Sequence, residues 1–198
     1  LRISSPAAKQ LIAAEINALA HLHHDNIIRI YDAGESEGRI YFVMELFRGE
    51  SLQEFMRRKR PNLRLTLNLF VQVCQALRFA HEHGVVHRDV KPTNILVDAH
   101  GGVKLIDFGL TRFMAFPNEA LDKAKVGTWA YMSPEQTEGN PDEINAQTDV
   151  YSLGVTMYEA LCGDFPYPRS DDKEEMFERI RTWPPPPPRE TWNSAFGV

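Results

Sequence analysis

Apolar residues recur at helical spacing in several stretches of the chain. They lie three and four positions apart in Ser5–Leu22 and in Leu65–Gly84, and this spacing predicts amphipathic helices. A strongly apolar run at Thr148–Gly163 predicts a buried helix with Thr148 as its N-cap. Glu174–Trp183 predicts a further helix, which the five prolines that follow bring to an end.

Strand patterns are shorter and lie between these helices. Ile27–Leu46 has β-branched and aromatic residues on both sides of a polar turn, which predicts a β-hairpin. Val85–Asp98 has apolar flanks that predict strands, and Gly101–Leu110 predicts a turn and another short strand. Ser51, with Glu54 three residues later, forms a capping-box pattern that marks the start of an additional helix.

The middle of Val85–Asp98 interrupts the apolar pattern with hydrogen-bonding side chains, namely His87, Arg88, Asp89, Lys91, Thr93 and Asn94. If the neighbouring strands form a hairpin, Asp107 at the end of the next strand comes close to this group. Asn94 and Asp107 then offer the oxygen ligands that Mg²⁺ prefers. Asp89 stays available to accept a proton from an attacking hydroxyl, and Lys91 can neutralise charge on a transferring phosphoryl group.

Composition fits an ordinary globular chain. Of the 198 residues, 43% are apolar, which is enough for a sizeable core, and the net charge is −5. This weak acidity gives no indication of nucleic-acid binding. The basic stretch Arg57–Arg60 is interpreted as the solvated end of a helix, because cations favour helix C-termini.

Neither the cysteines nor a histidine cluster predicts a metal site. Cys74 and Cys162 lie far apart in apolar helical patterns, which indicates buried free thiols in a reducing compartment. His21, His23 and His24 have no cysteine or fourth ligand beside them and are interpreted as a loop after a helix. No window approaches the roughly 18 apolar residues that span a bilayer.

Four motifs occur in an order that resembles one family. They read HRDVKPTN from His87, DFG from Asp107, GTWAYMSPE from Gly127 and DVYSLG from Asp149. Together they resemble the catalytic loop, magnesium motif, activation-segment end and buried anchoring helix of eukaryotic-type serine/threonine protein kinases, in a style similar to the bacterial members. Ser133 replaces the more usual alanine before Pro-Glu.

The resemblance implies an α+β, two-lobed kinase fold truncated at both ends. Residues 1–46 would be part of the small lobe, and residues 47–198 part of the large lobe. The Gly-rich loop and the strand lysine of the family do not occur in the chain, and Lys9 lies on the same predicted helix as Glu15. We therefore expect a fragment that binds ATP poorly by itself. An arginine that pairs with Glu135 in the family is also expected beyond the chain, which would leave that carboxylate unpaired.

Catalytic roles are implied residue by residue. Asp89 would be the base or hydroxyl-orienting residue, and Asn94 and Asp107 would hold the metal. Lys91 is typical of serine/threonine kinases, and Thr128 would hydrogen-bond to Asp89 and Lys91. A further role falls on Glu15, which would pair with the strand lysine that grips the ATP phosphates.

Apolar positions gain implied roles around the nucleotide. Met44 would border the adenine pocket as gatekeeper, Glu45, Leu46 and Phe47 would form the hinge, and Leu96 would form the pocket floor. An apolar column of Leu19, His87 and Phe108 would link the lobes.

The expected activity is transfer of the ATP γ-phosphoryl group to Ser or Thr hydroxyls of proteins, with Mg²⁺ as cofactor. A pseudokinase that binds partners without catalysis is one alternative, and a small-molecule kinase of similar fold is another. Lys91 and the GTWAYMSPE segment disfavour the small-molecule alternative. We expect protein partners, no nucleic acid and no membrane segment in this chain, and a cytoplasmic location, either free or as part of a membrane-anchored protein.

Overall fold

Two small antiparallel sheets frame the amino-terminal half of the chain. The computed structural model describes residues 21–36, 39–108 and 129–188. The first sheet is a hairpin of β1 (Ile30–Ser36) and β2 (Arg39–Met44), with Ile30 opposite Met44. This confirms the predicted hairpin. The helix predicted over Ser5–Leu22 lies, up to residue 20, outside the described residues.

The second sheet brings two polar segments together. Its strands are β3 (Gly49–Ser51), β4 (Ile95–Asp98) and β5 (Val103–Leu105), all antiparallel in the order β3-β4-β5. The predicted hairpin of β4 and β5 is confirmed, and the N–H of Ile106 donates to the carbonyl of Asn94 at 2.9 Å. The residues just before β4 and just after β5 therefore lie side by side.

Helices make up most of the rest of the described chain. They are α1 (Leu52–Lys59), α2 (Leu63–Glu82), α3 (Pro134–Glu138), α4 (Ala146–Cys162) and α5 (Lys173–Thr182), with 3₁₀ turns at Pro92–Asn94, Trp129–Tyr131 and Pro141–Glu143. The capping box at α1 is present, because the N–H of Glu54 donates to Ser51 Oγ at 3.2 Å and the N–H of Ser51 donates to Glu54 Oε2 at 3.1 Å. Within the described residues, no helix combines the length and apolar character needed to cross a bilayer.

Two buried clusters hold these elements together. The larger cluster packs α1 and α2 against the second sheet and includes Leu52, Leu69, Val73, Ile95 and Leu105, each at most 1% exposed. The smaller cluster packs α4 and α5 around the turn that contains Trp129. Val90, in the polar loop between α2 and β4, belongs to the larger cluster.

Three local predictions are wrong. Val85 and Val86 form no strand, because the N–H of Val85 returns to the carbonyl of Ala80 at 2.9 Å and closes the end of α2. The N-cap of α4 is Asn145 rather than Thr148, which lies in the first turn and is buried. Cys74 is an exposed free thiol on the outer face of α2, although Cys162 is half-buried.

Candidate active site

A buried carboxylate at the start of α4 fixes the polar loop. Asp149 is 0% exposed, and its carboxylate accepts the N–H of His87 at 2.8 Å and the N–H of Arg88 at 2.7 Å. The ring Nε2 of His81, at the end of α2, lies 2.7 Å from the same carboxylate. The N–H groups of His87 and Arg88, which could have bonded to a neighbouring strand, thus donate to a side chain of α4 more than sixty residues away in sequence.

His87 connects the loop to the segment that follows β5. The N–H of Asp89 donates to His87 Nδ1 at 3.2 Å, and Nε2 lies 2.9 Å from the carbonyl of Ile106. Burial lowers the pKa of His87, although nearby carboxylates oppose this. A neutral ring with its proton on Nε2 satisfies both contacts. The ring lies 4.5 Å from that of Phe108, which confirms this part of the predicted apolar column, whereas Leu19 lies outside the described residues.

Asp89 is held by two neighbours on one side of its carboxylate. Lys91 Nζ donates to Asp89 Oδ2 at 2.8 Å, and Asn94 Nδ2 donates to the same oxygen and to the Asp89 carbonyl, both at 2.9 Å. Among the described residues, the hydrogen bonds to this carboxylate end on Oδ2. The other oxygen, Oδ1, is therefore the one that can receive a proton from a third group.

Asp107 completes the cluster from the segment that follows β5, at the end of the hairpin where Asn94 precedes β4. It lies two residues beyond β5 and has a φ of 62°, a left-handed conformation that costs a non-glycine residue about 1 kcal/mol or more. Burial raises the pKa of the Asp107 carboxyl. His87 and Lys91 are near enough to lower that pKa, and Asp89 is near enough to raise it. A cation beside this crowded carboxylate would relieve both its burial and the repulsion from Asp89.

The donor set at this point fits Mg²⁺ rather than a metal that is held by protein ligands alone. Asn94 directs its amide nitrogen at Asp89, so its amide oxygen is the atom left to bind a metal beside the Asp107 carboxylate. In the described part of the chain, no group of three or more His, Cys, Asp or Glu side chains is arranged to hold a metal ion. Mg²⁺ characteristically takes one or two protein oxygens and completes its coordination with phosphate and water.

The residues expected around the nucleotide are less buried than this cluster. Met44 lines a small cavity together with Asp107 and Phe108. Leu46 is 82% exposed, Phe47 is half-buried, and Leu96 is a half-buried residue of β4 paired with Ser51.

Glu45 is fixed at the end of β2 by both its main chain and its side chain. Its N–H donates to the carbonyl of Arg29 at 2.9 Å, and its carboxylate accepts Lys104 Nζ at 2.9 Å. Both the N–H and the carboxylate of Glu45 are thus engaged within the chain.

The comparisons with known proteins agree on one family. The model of the protein kinase domain matches residues 2–193. The chain belongs to the protein kinase family. It is 37% identical over 182 residues to the serine/threonine-protein kinase PknB of Mycolicibacterium smegmatis, and 39% identical over 191 residues to PknA of Mycobacterium tuberculosis. These alignments cover 88% and 93% of this chain.

A solved structure supports the same fold. A crystal structure of Rad53 1-466 in complex with AMP-PNP superposes with a TM-score of 0.70 at 28% identity, and it covers 86% of this chain and 42% of that chain. The chain spans only 29% of the PknB relative and 44% of the PknA relative. The relatives thus settle the family and the kinase fold of this segment.

Two residues with implied roles, Glu15 and Thr128, lie outside the described residues, and their roles stay predictions. Glu135 is described, and the arginine expected to pair with it stays a prediction, but its carboxylate does accept a hydrogen bond within the chain. The hydroxyl of Thr148 donates to Glu135 Oε1 at 2.6 Å. Burial would raise the pKa of Glu135, but hydrogen bonds from Thr148, its own N–H and Ser133 outweigh it, so this pKa lies below its ordinary value.

One structural link was not predicted from the sequence. Gln136, in α3, donates its amide nitrogen to the carbonyl of Arg88 at 2.8 Å and accepts the N–H of Ser133 at 2.9 Å. Arg88 has a φ of 69°, a strained conformation for a residue with a side chain. Gln136 therefore holds the residue that immediately precedes Asp89. The sequence does show a polar residue, Gln136, directly after Pro-Glu. It does not show the partner of that residue, because Arg88 lies 48 residues away in sequence.

We predict that Gln136→Leu loosens this loop without unfolding the chain. The Arg88 carbonyl loses its donor, and the free energy of unfolding should fall by about 1 kcal/mol. Hydrogen–deuterium exchange should become faster at residues 86–94, whereas the same change at the exposed Gln75 should leave these amides unchanged. Equal exchange in the two variants would contradict the link.

Proposed function

We propose that this chain is part of a serine/threonine protein kinase that transfers the γ-phosphoryl group of ATP to Ser or Thr hydroxyls of proteins. The observation that carries the proposal is the cluster of Asp89, Lys91, Asn94 and Asp107, assembled by direct hydrogen bonds and by the β4–β5 hairpin. The proposal is also supported by membership of the protein kinase family and by the relatives, which are named serine/threonine-protein kinases.

In this mechanism each residue has one task. Asp89 receives the proton of the substrate hydroxyl on Oδ1, while Lys91 and Asn94 keep its carboxylate oriented through Oδ2. Lys91, beside Asp89, also offers positive charge to the transferring group. Asn94 and Asp107 would hold Mg²⁺, which supplies charge neutralisation to the phosphates when it is bound.

The remaining assignments are also part of the proposal. Residues 1–46 belong to the small lobe and residues 47–198 to the large lobe. ATP lies with its adenine against Met44 and Leu96 and the backbone of Glu45–Phe47. The protein acts in the cytoplasm, either free or as part of a membrane-anchored protein.

The test uses the protein at its full natural length. With γ-labelled ATP, Mg²⁺ and a mixture of protein substrates, we expect label on phosphoserine and phosphothreonine in phosphoamino-acid analysis. Asp107→Asn should raise the Mg²⁺ concentration for half-maximal rate at least about tenfold, because loss of even a supporting partner weakens metal binding by about that factor. Asp142→Asn, at an exposed position, should behave as wild type.

Two results would contradict the proposal. Label on tyrosine alone would exclude the serine/threonine class. ATP binding without any transfer would support the partner-binding alternative instead, in which the cluster has no catalytic task.

A further inference from the structure

An open groove of about 540 Å³ adjoins the polar loop between α2 and β4. One wall is α1 and the residues directly after it, and the opposite wall is the last part of α4. The edge between them is Pro92, which directly follows Lys91. Because Lys91 contacts the Asp89 carboxylate, the groove adjoins the place where a substrate hydroxyl would lie.

The body of the groove is apolar and firmly supported. Leu52 is 1% exposed, Pro61 and Pro92 are buried, and Met56 is half-buried. Helix α1 packs directly against the 3₁₀ turn Pro92–Asn94, so the groove wall and the catalytic loop form one continuous surface. The groove is thus built from buried and half-buried residues that pack against the turn Pro92–Asn94.

Two guanidinium groups line this groove. Arg57 and Arg60 both belong to its lining, and both are exposed. Their neighbour Arg58 is engaged elsewhere, since its Nε donates to the two carboxylate oxygens of Glu50 at 3.0 and 3.1 Å. The basic stretch Arg57–Arg60 is therefore divided: two of its members face the groove, and one is paired outside it.

The single carboxylate in the groove lining is already engaged. Glu159 accepts the hydroxyl of Tyr131 at 2.7 Å. Burial raises the pKa of Glu159, and the Tyr131 hydrogen bond and Arg169 oppose this only in part. Charge in the groove is consequently positive on balance, with two guanidinium groups against one hydrogen-bonded carboxylate.

We propose that this groove binds an acidic segment of the protein substrate next to the phosphorylated Ser or Thr, with Arg57 and Arg60 pairing with its carboxylates. The inference rests on the proposed function, because it takes Asp89 as the place of the acceptor hydroxyl. A substrate segment next to an acceptor hydroxyl at Asp89 can reach the groove past Pro92, which follows Lys91 and lines the groove. The apolar floor contacts its backbone and the guanidinium groups select its charge.

The experiment compares peptides that carry Asp or Lys at each position flanking one Ser or Thr. With the full-length protein, kcat/KM should be about tenfold higher for Asp than for Lys at one or more of these positions, the size that two exposed ion pairs supply together. The double variant Arg57→Glu, Arg60→Glu should abolish or invert this preference. The rate on a peptide with neutral flanks is the reference against which the Asp and Lys peptides are compared for each protein.

The matched control is Lys59→Glu combined with Arg78→Glu. It makes the same change in charge at two exposed residues of α1 and α2 that do not line the groove, and it should keep the preference for Asp. Wild-type protein without an acidic preference, or a preference that survives Arg57→Glu, Arg60→Glu, would overturn the inference. Failure of wild type to phosphorylate even the neutral peptide would instead refute the proposed function.

Discussion

Asp89→Asn should lower the rate of phosphoryl transfer by about a thousandfold while the protein stays folded. The amide oxygen of asparagine can still accept from Lys91 and Asn94, which now bond to Oδ2 of the carboxylate. The amide has no basic oxygen that can take a proton, and a positioned general base contributes about 10²- to 10⁴-fold. The change therefore removes the proton acceptor and keeps the local hydrogen bonds.

Steady-state kinetics on the full-length protein separate this role from a structural one. We expect kcat to fall, the KM for ATP to change less than about threefold, and the melting temperature to move by no more than about 2 °C, a shift that corresponds to about 1 kcal/mol or less. Asp171→Asn at an exposed position provides the matched control. An Asp89→Asn protein that keeps more than a tenth of wild-type kcat would contradict a proton-accepting role.

Short-range patterns predicted a large part of this fold. The hairpin of β1 and β2, the α1 capping box and the extents of α2 and α5 all follow from residues that are neighbours in sequence. The proximity of Asp89, Asn94 and Asp107 also followed, because a hairpin of two short strands necessarily brings its ends together.

Long-range polar contacts explain what the sequence did not predict. Val85 and Val86 have strand-forming side chains, but the donors that follow them bond to Asp149 rather than to a strand. Thr148 is a good N-cap residue, yet Asn145 caps the helix and Thr148 donates to Glu135. At Val85 and Val86 a side chain from a distant segment determines the local structure, and propensity contains no information about that partner. At α4 two good capping residues lie three positions apart, and Asn145 is the one that caps the helix.

Asp149 should be the residue whose loss most affects the site without touching a substrate. Its carboxylate is completely buried and satisfies the N–H groups of His87 and Arg88, and it also contacts His81. Asp149→Ala leaves these polar groups without their partner, and each buried unsatisfied group costs about 1–3 kcal/mol. We expect the free energy of unfolding to fall by about 3 kcal/mol or more, and Asp89 to lose its position because the two preceding residues are released.

Asp149→Asn separates geometry from charge. The amide keeps one accepting oxygen but turns an NH₂ group toward a second N–H donor. We therefore expect the free energy of unfolding of Asp149→Asn to be about 2 kcal/mol below that of wild type, a smaller decrease than for Asp149→Ala. His81→Ala removes one contact and leaves both backbone bonds, and it should cost about 1 kcal/mol or less. Urea denaturation of the four proteins tests this order. Because the carboxylate holds the loop through both oxygens, stability of Asp149→Asn within about 0.5 kcal/mol of wild type would mean that other contacts place Asp89.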